Sequence, residues 1–183
     1  MKLIKLLIVL AATTYLFGCA SGAKQENITY QSMQKAKYAQ ELNKNVALDT
    51  VSGGRETNPM WTSEISNQSF LGALRNSLSN QGLYSDKGRY NLQVAMVGVD
   101  KPLVGFDMTV TTRVRYTLVD TKTNQKVFEE LVVAPHTATV GDAFVAVTRL
   151  RLANEGSAKK NIENFLRRLA QLKIEPQQVS LVK

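Results

Sequence analysis

The stretch MTVTTRVRYTLVDTKTNQKVFEELVV, residues 108–133, decides the fold. Met108, Val110, Thr112, Val114, Tyr116 and Leu118 alternate with Thr109, Thr111, Arg113, Arg115 and Thr117. Successive strand residues point to opposite sides, so this pattern specifies a long strand with one apolar and one polar face. Asp120-Thr121-Lys122-Thr123-Asn124-Gln125 is rich in turn formers and predicts a hairpin. A four-residue loop over 121–124 would set Arg115 opposite Glu130 and Val114 opposite Leu131. Val127, Leu131 and Val133 then form the inner face of the returning strand, and Pro135, which lacks a ladder donor, is expected to end it.

Working outward, Tyr90, Leu92, Val94 and Met96 predict a strand before the hairpin. The connecting loop, Lys101-Pro102-Leu103-Val104-Gly105-Phe106, holds three large apolar residues. Leu103, Val104 and Phe106 either stand exposed as a contact for a partner or an acyl chain, or fold over the sheet end to close the core. Further upstream, Ser66 is a candidate helix N-cap, with Ile65 and Phe70 at hydrophobic-staple spacing. Phe70, Leu71, Leu74 and Leu78 make an apolar stripe, and Gly82 supplies a left-handed stop. Trp61, the single Trp, is expected to pack as a lid over one end of the core. Val46 to Val51 reads as a short strand closed by Ser52-Gly53-Gly54.

Downstream, Asp142 is a candidate N-cap for a closing helix. Val147, Leu150, Ala158, Ile162, Phe165, Leu169 and Leu172 mark its apolar face. Arg151, Glu155 and Lys159 follow at i, i+4 and are expected on an outer face. Unbroken from Ala143 to Leu172, that helix would be about 45 Å long, against a domain about 35 Å across. A break is therefore expected, and Gly156 is the expected place. The result is an α+β fold: an antiparallel sheet of three to four strands against two helices, in the order β-α-β-β-β-α.

The N-terminus assigns a compartment. Lys2 and Lys5 precede an apolar run, Leu6 to Leu16, too short to span a bilayer and suited to a signal peptide. Leu16-Phe17-Gly18-Cys19 resembles the lipobox of bacterial lipoproteins. That resemblance implies lipid transfer to the Cys19 sulfur, cleavage after Gly18 and acylation of the new N-terminus. Ala20 follows, not the Asp that would suggest inner-membrane retention, so the expected location is the outer membrane, facing the periplasm. The domain plan is a signal peptide over 1–18, lipidated Cys19 with a flexible tether over 19–45, one α+β domain over 46–172 and a tail over 173–183. As a free coil the tether would span roughly 28 Å.

Composition excludes much of catalysis. One Cys and one His in 183 residues leave no intrachain disulfide and no Cys/His zinc site. Ser52, His136 and Asp142 can be imagined as a triad, but no nucleophile elbow accompanies them. Glu129 and Glu130 are adjacent on a strand and face apart. Asp100 and Asp107 flank a loop and read as turn residues. The formal charge of +8 is spread out, and export argues against nucleic acid as a partner. Its densest group, Lys159, Lys160, Arg167 and Arg168, could meet anionic headgroups or serve as a solvated helix face. No metal or cofactor is expected beyond the covalent lipid on Cys19.

The element order resembles small periplasmic lipoproteins of transport and assembly machines, including the lipopolysaccharide-assembly lipoprotein of the outer membrane. Phe70-Leu71-Gly72-Ala73-Leu74 with Gly82, Tyr90-Asn91-Leu92 and Tyr116-Thr117-Leu118-Val119-Asp120 carry that resemblance. Asn58-Pro59-Met60-Trp61 and Arg149-Leu150-Arg151-Leu152-Ala153-Asn154-Glu155 are similar to an uncharacterised proteobacterial lipoprotein family. Its members sometimes carry the name UDP-N-acetylglucosamine acyltransferase. Such enzymes are cytoplasmic β-helices with hexapeptide repeats, and this chain has no hexapeptide period and an export signal. The expectation is a non-enzymatic outer-membrane lipoprotein, an accessory or scaffold of an envelope assembly or transport complex, with an envelope protein as partner. The alternative is a lipid- or glycolipid-binding lipoprotein.

Overall fold

The computed structural model describes residues 20–34 and 36–174. The signal peptide, Cys19 and residues 175–183 of the tail lie outside the described residues. The alternating stretches form the strands they specify. They are β1 (Val46–Ser52), β2 (Tyr90–Asp100), β3 (Met108–Asp120) and β4 (Gln125–Ala138), in one sheet of order β1-β2-β3-β4. The helices are α1 (Gln25–Ile28), α2 (Asn67–Asn80) and α3 (Ala146–Leu169), with a 3-10 turn over Gln40–Leu42. The core lies between one sheet face and the helices: α3 packs on β3 and β4, and α2 on β1. Tyr90, Leu92, Val94 and Met96 of β2, with Val110, Val114, Tyr116 and Leu118 of β3, are all buried. This is the α+β fold the alternation predicts.

The start of α2 follows its sequence signals. The Ser66 hydroxyl accepts from the Ser69 N–H at 3.1 Å, and Ile65 and Phe70 are both buried. Gly82 stops the helix with φ +76°, a conformation that costs glycine little.

Several expectations are corrected. β1 pairs parallel to β2, because α2 carries the chain back across the sheet between them, so the sheet is mixed. The hairpin register holds only near its turn. Val119 pairs with Lys126 but Leu118 pairs with Phe128, which leaves Val127 as a bulge. Arg115 therefore faces Leu131, Tyr116 faces Glu130 and Val114 faces Val132. One inserted residue reverses every later side chain, so Val132 and Ala134 are buried while Leu131 and Val133 are exposed. Pro135 does not end β4. It pairs with Thr111 on an edge strand, where its missing N–H faces away from the ladder.

The closing helix begins at Ala146, with Val145 at the N-cap and no side-chain cap. Asp142 instead closes the preceding turn, its carboxylate accepting from the Thr139 N–H at 2.7 Å and hydroxyl at 2.9 Å. Gly156 does not break α3, which runs unbroken through it. A Cβ there would lie 2.1 Å from the His136 ring, so the glycine lets β4 approach the helix. Glu155 is not on an outer face but buried.

The largest correction concerns the segment expected as a flexible tether. Ala20, Ala23, Ile28 and Leu42 are buried in the domain. The Ala20 N–H donates to Pro59 O at 2.7 Å and the Ala23 N–H to Glu64 O at 2.9 Å. The Glu155 carboxylate accepts from the Lys24 N–H at 3.0 Å and from Asn27 Nδ2 at 2.9 Å. Arg151 pairs with that carboxylate and also donates to Ser21 Oγ at 2.9 Å. The sequence pattern missed this docking because its contacts are single apolar residues in a polar run, without a period.

Candidate functional site

The candidate chemical groups do not converge. Ser52 lies on β1 and His136 on β4, the two edges of the sheet, about 14 Å apart across the strands and further offset along them, since Ser52 is level with Leu131. Glu129 pairs with Lys126, and Glu130 with Arg168 on α3. Asp100 pairs with Arg113. Among the described residues, no group of three or more His, Cys, Asp or Glu side chains could hold a metal ion.

Aromatic rings pack between sheet and helices. Phe165 stacks on Tyr116 with ring centroids 4.0 Å apart, and Phe128 meets Phe165 edge-on at 5.8 Å. Below them lies a buried polar network that no sequence pattern disclosed. Asn161 Nδ2 donates to Val132 O at 2.9 Å and to Thr112 O at 3.1 Å, and Asn161 Oδ1 accepts from the Tyr116 hydroxyl at 2.9 Å. Ser157 Oγ donates to Ala134 O at 2.7 Å and accepts from the Thr112 N–H at 3.0 Å. Ser157 and Asn161, at i and i+4, thus bond helix to strand backbone inside the core. Two polar residues interrupting the apolar stripe of α3 were the available signal. Burial pushes the Tyr116 hydroxyl well above the ordinary tyrosine range, which keeps it a neutral donor.

Two open clefts lie on the surface. One of about 330 Å³ sits on the polar sheet face among Asp49, Ser52, Gln93 and Arg115. Another, of about 300 Å³, lies between Tyr38, Ala39 and the Gln81–Leu83 segment.

The structure resolves the alternative for the loop after β2. Leu103, Val104 and Phe106 are 97%, 85% and 85% exposed. They do not cover the core. Trp61 is not a lid either: it is 76% exposed, beside Met60 at 78%. Phe144, not singled out by the sequence, is 90% exposed. These residues belong to three loops at one end of the sheet, where β2 ends, β3 begins, β4 ends and α3 begins. Lys101 ties the first two loops, donating to Thr62 Oγ1 at 2.9 Å and pairing with Glu64. Asp107 ties the second to the third, accepting from the Val140 N–H at 3.4 Å. Arg149 anchors the third to α3, donating to Ala143 O at 2.8 Å and Phe144 O at 2.7 Å.

The basic group is elsewhere. Lys159, Lys160, Arg167 and Arg168 are exposed on the later turns of α3, with Arg167 about 32 Å along the helix from Ala146. Arg167 pairs with Glu163 and Arg168 with Glu130. The apolar loops and the arginines therefore do not form one site.

No protein family model matches the chain, and no curated protein matches it. Solved structures do. A Xanthomonas campestris protein of the family DUF330 is 7% identical, with a TM-score of 0.57 over 79% of this chain and 95% of its own. A Caulobacter crescentus protein described as a lipoprotein is 16% identical, with a TM-score of 0.50 over 72% of this chain and 90% of its own. At such identities the likeness shows a shared fold.

Proposed function

We propose that the protein is a non-enzymatic lipoprotein, anchored through Cys19 at the periplasmic face of the outer membrane, and an accessory or scaffold of an envelope assembly or transport complex. The observation that carries this is the docking of Ala20 on Pro59, one residue after the lipobox cysteine. An anchor on Cys19 would join the chain one residue before the docked Ala20 and so hold the domain close to the bilayer. The tightly packed aromatic core between sheet and helices favours action through the surfaces. The polar face of the sheet, with Leu131 and Val133 exposed among charged residues, is available to a protein partner.

The test has two arms. Cross-linking and co-purification from solubilised outer membranes should return a stoichiometric envelope protein; return of none removes the scaffold reading. Cys19→Ala should release the protein to the soluble periplasm or leave it unprocessed. Normal processing and membrane fractionation of that variant would refute the anchor.

A further inference from the structure

We infer that the three apolar loops around Trp61, Phe106 and Phe144 form a bilayer-docking face, which dips into the lipid surface beside the N-terminal anchor. The inference deepens the anchor reading and rests on it.

The first ground is composition and exposure. Met60, Trp61, Leu103, Val104, Phe106 and Phe144 are nearly uncovered and gathered at one end of the molecule. A gathered apolar surface of this kind is unusual on a protein that meets only water. Two acidic residues near the tips accept from loop backbone: Asp107 from the Val140 N–H and Asp142 from the Thr139 N–H. Lys101 is taken up by Glu64. Lys101, Asp107 and Asp142 thus have partners of their own beside the exposed apolar tips, while Arg55 and Glu56 stand exposed further back on the first loop.

The second ground is where the preceding chain joins the fold. Residues before Ala20 carry the apolar run Leu6 to Leu16 and the lipobox cysteine, the membrane-seeking part of the sequence. Ala20 is hydrogen-bonded to Pro59, next to Met60 and Trp61 in the same turn. The membrane attachment therefore enters the domain at the edge of the apolar face. Through Thr62, Lys101 and Asp107 that turn is linked to the other two loops. A bilayer reached by Cys19 is within reach of all three. A Trp at such a position suits the interfacial layer, where its ring is half in lipid and its N–H stays near water. Acyl chains and inserted side chains then act as separate membrane signals on one rigid body.

Trp61 is the only Trp, so its fluorescence reports this face alone. The protein purified from membranes is reconstituted into phosphatidylethanolamine–phosphatidylglycerol vesicles. Docking predicts blue-shifted Trp61 emission, quenched more by lipids spin-labelled near the headgroup than by lipids labelled deep in the chain. The double substitution Phe106→Asp and Phe144→Asp should lower the docked population about tenfold or more, while the protein stays vesicle-bound. Both side chains are exposed, so its thermal midpoint should be unchanged. Solvent-like, unquenched Trp61 emission from vesicle-bound protein overturns the docking face and leaves that end to a protein partner. The mass of the processed protein reads the anchor separately. Absent acyl chains sink the anchor reading, and Trp61 quenching of whatever protein remains vesicle-bound still decides the face.

Discussion

Asn161 shows how one side chain can fix a register. Its amide satisfies carbonyls on both β3 and β4 and accepts from the Tyr116 hydroxyl, all in the core. Asn161→Leu keeps the volume but leaves these groups unpaired, at a cost of about 3 kcal/mol. Chemical denaturation should show that loss, and Tyr116→Phe in the same chain should recover part of it. Asp120 acts near the surface. The Arg89 guanidinium beside it, with the Lys122 N–H, holds its carboxyl at about 2. A depressed carboxyl contributes stability above its unfolded value, near 4, and loses it as pH falls toward 2. Thermal midpoints should therefore drop between pH 4 and pH 2, and Asp120→Asn should flatten that part of the profile.

Between neighbouring elements, the decisive event is the bulge at Val127. The turn chemistry over 121–124 predicts the pairing at the hairpin tip, and that pairing is present. Beyond the bulge the inner face passes from Leu131 and Val133 to Val132 and Ala134. Both strand faces carry apolar residues here, Leu131 and Val133 on one and Val132 and Ala134 on the other, so alternation alone could not choose between them. The helix chooses: Ser157 and Asn161 bond the carbonyls of Ala134 and Val132, and Gly156 admits the His136 ring. Leu131→Asp should change stability by less than about 0.5 kcal/mol, whereas Val132→Asp buries a charge and should prevent folding or cost several kcal/mol. Equal effects of the two substitutions would contradict this register. Glu155 plays the matching part for the N-terminal segment. Glu155→Ala removes the acceptor for Lys24 and Asn27, so trypsin should cut after Lys24 and Lys37 faster in the variant than in the parent. An unchanged digestion rate would mean the apolar contacts of Ile28 and Leu42 hold the segment without it.

At the scale of the whole molecule, docking of residues 20–42 converts an expected leash into part of the domain. A leash of roughly 28 Å would leave the orientation of the domain free. With the proposed anchor on Cys19, the contact of Ala20 with Pro59 would fix which end meets the membrane and would set the basic turns of α3 at some distance from it. In that orientation Lys159, Lys160, Arg167 and Arg168 would point away from the lipid. Exchanging Lys159 and Lys160 for Gln should leave vesicle binding unchanged by sedimentation, and a loss would show that α3 lies on the lipid.

The sequence by itself determined what depends on local pattern. Period-two alternation set β2 and β3, and cap and stop residues set α2. These signals lie within a few residues of the structure they specify. Only the tertiary structure decided the parallel pairing of β1, the face of β4, the continuity of α3 through Gly156 and the docking of the N-terminal segment. Each depends on what lies opposite in space: a helix crossover, a bulge read by Asn161, a ring needing room, a carboxylate awaiting Lys24. The same holds for the candidate site. Leu103, Val104 and Phe106 were visible as an apolar loop, but their exposure, and their company with Trp61 and Phe144, arises from three loops meeting at one sheet end.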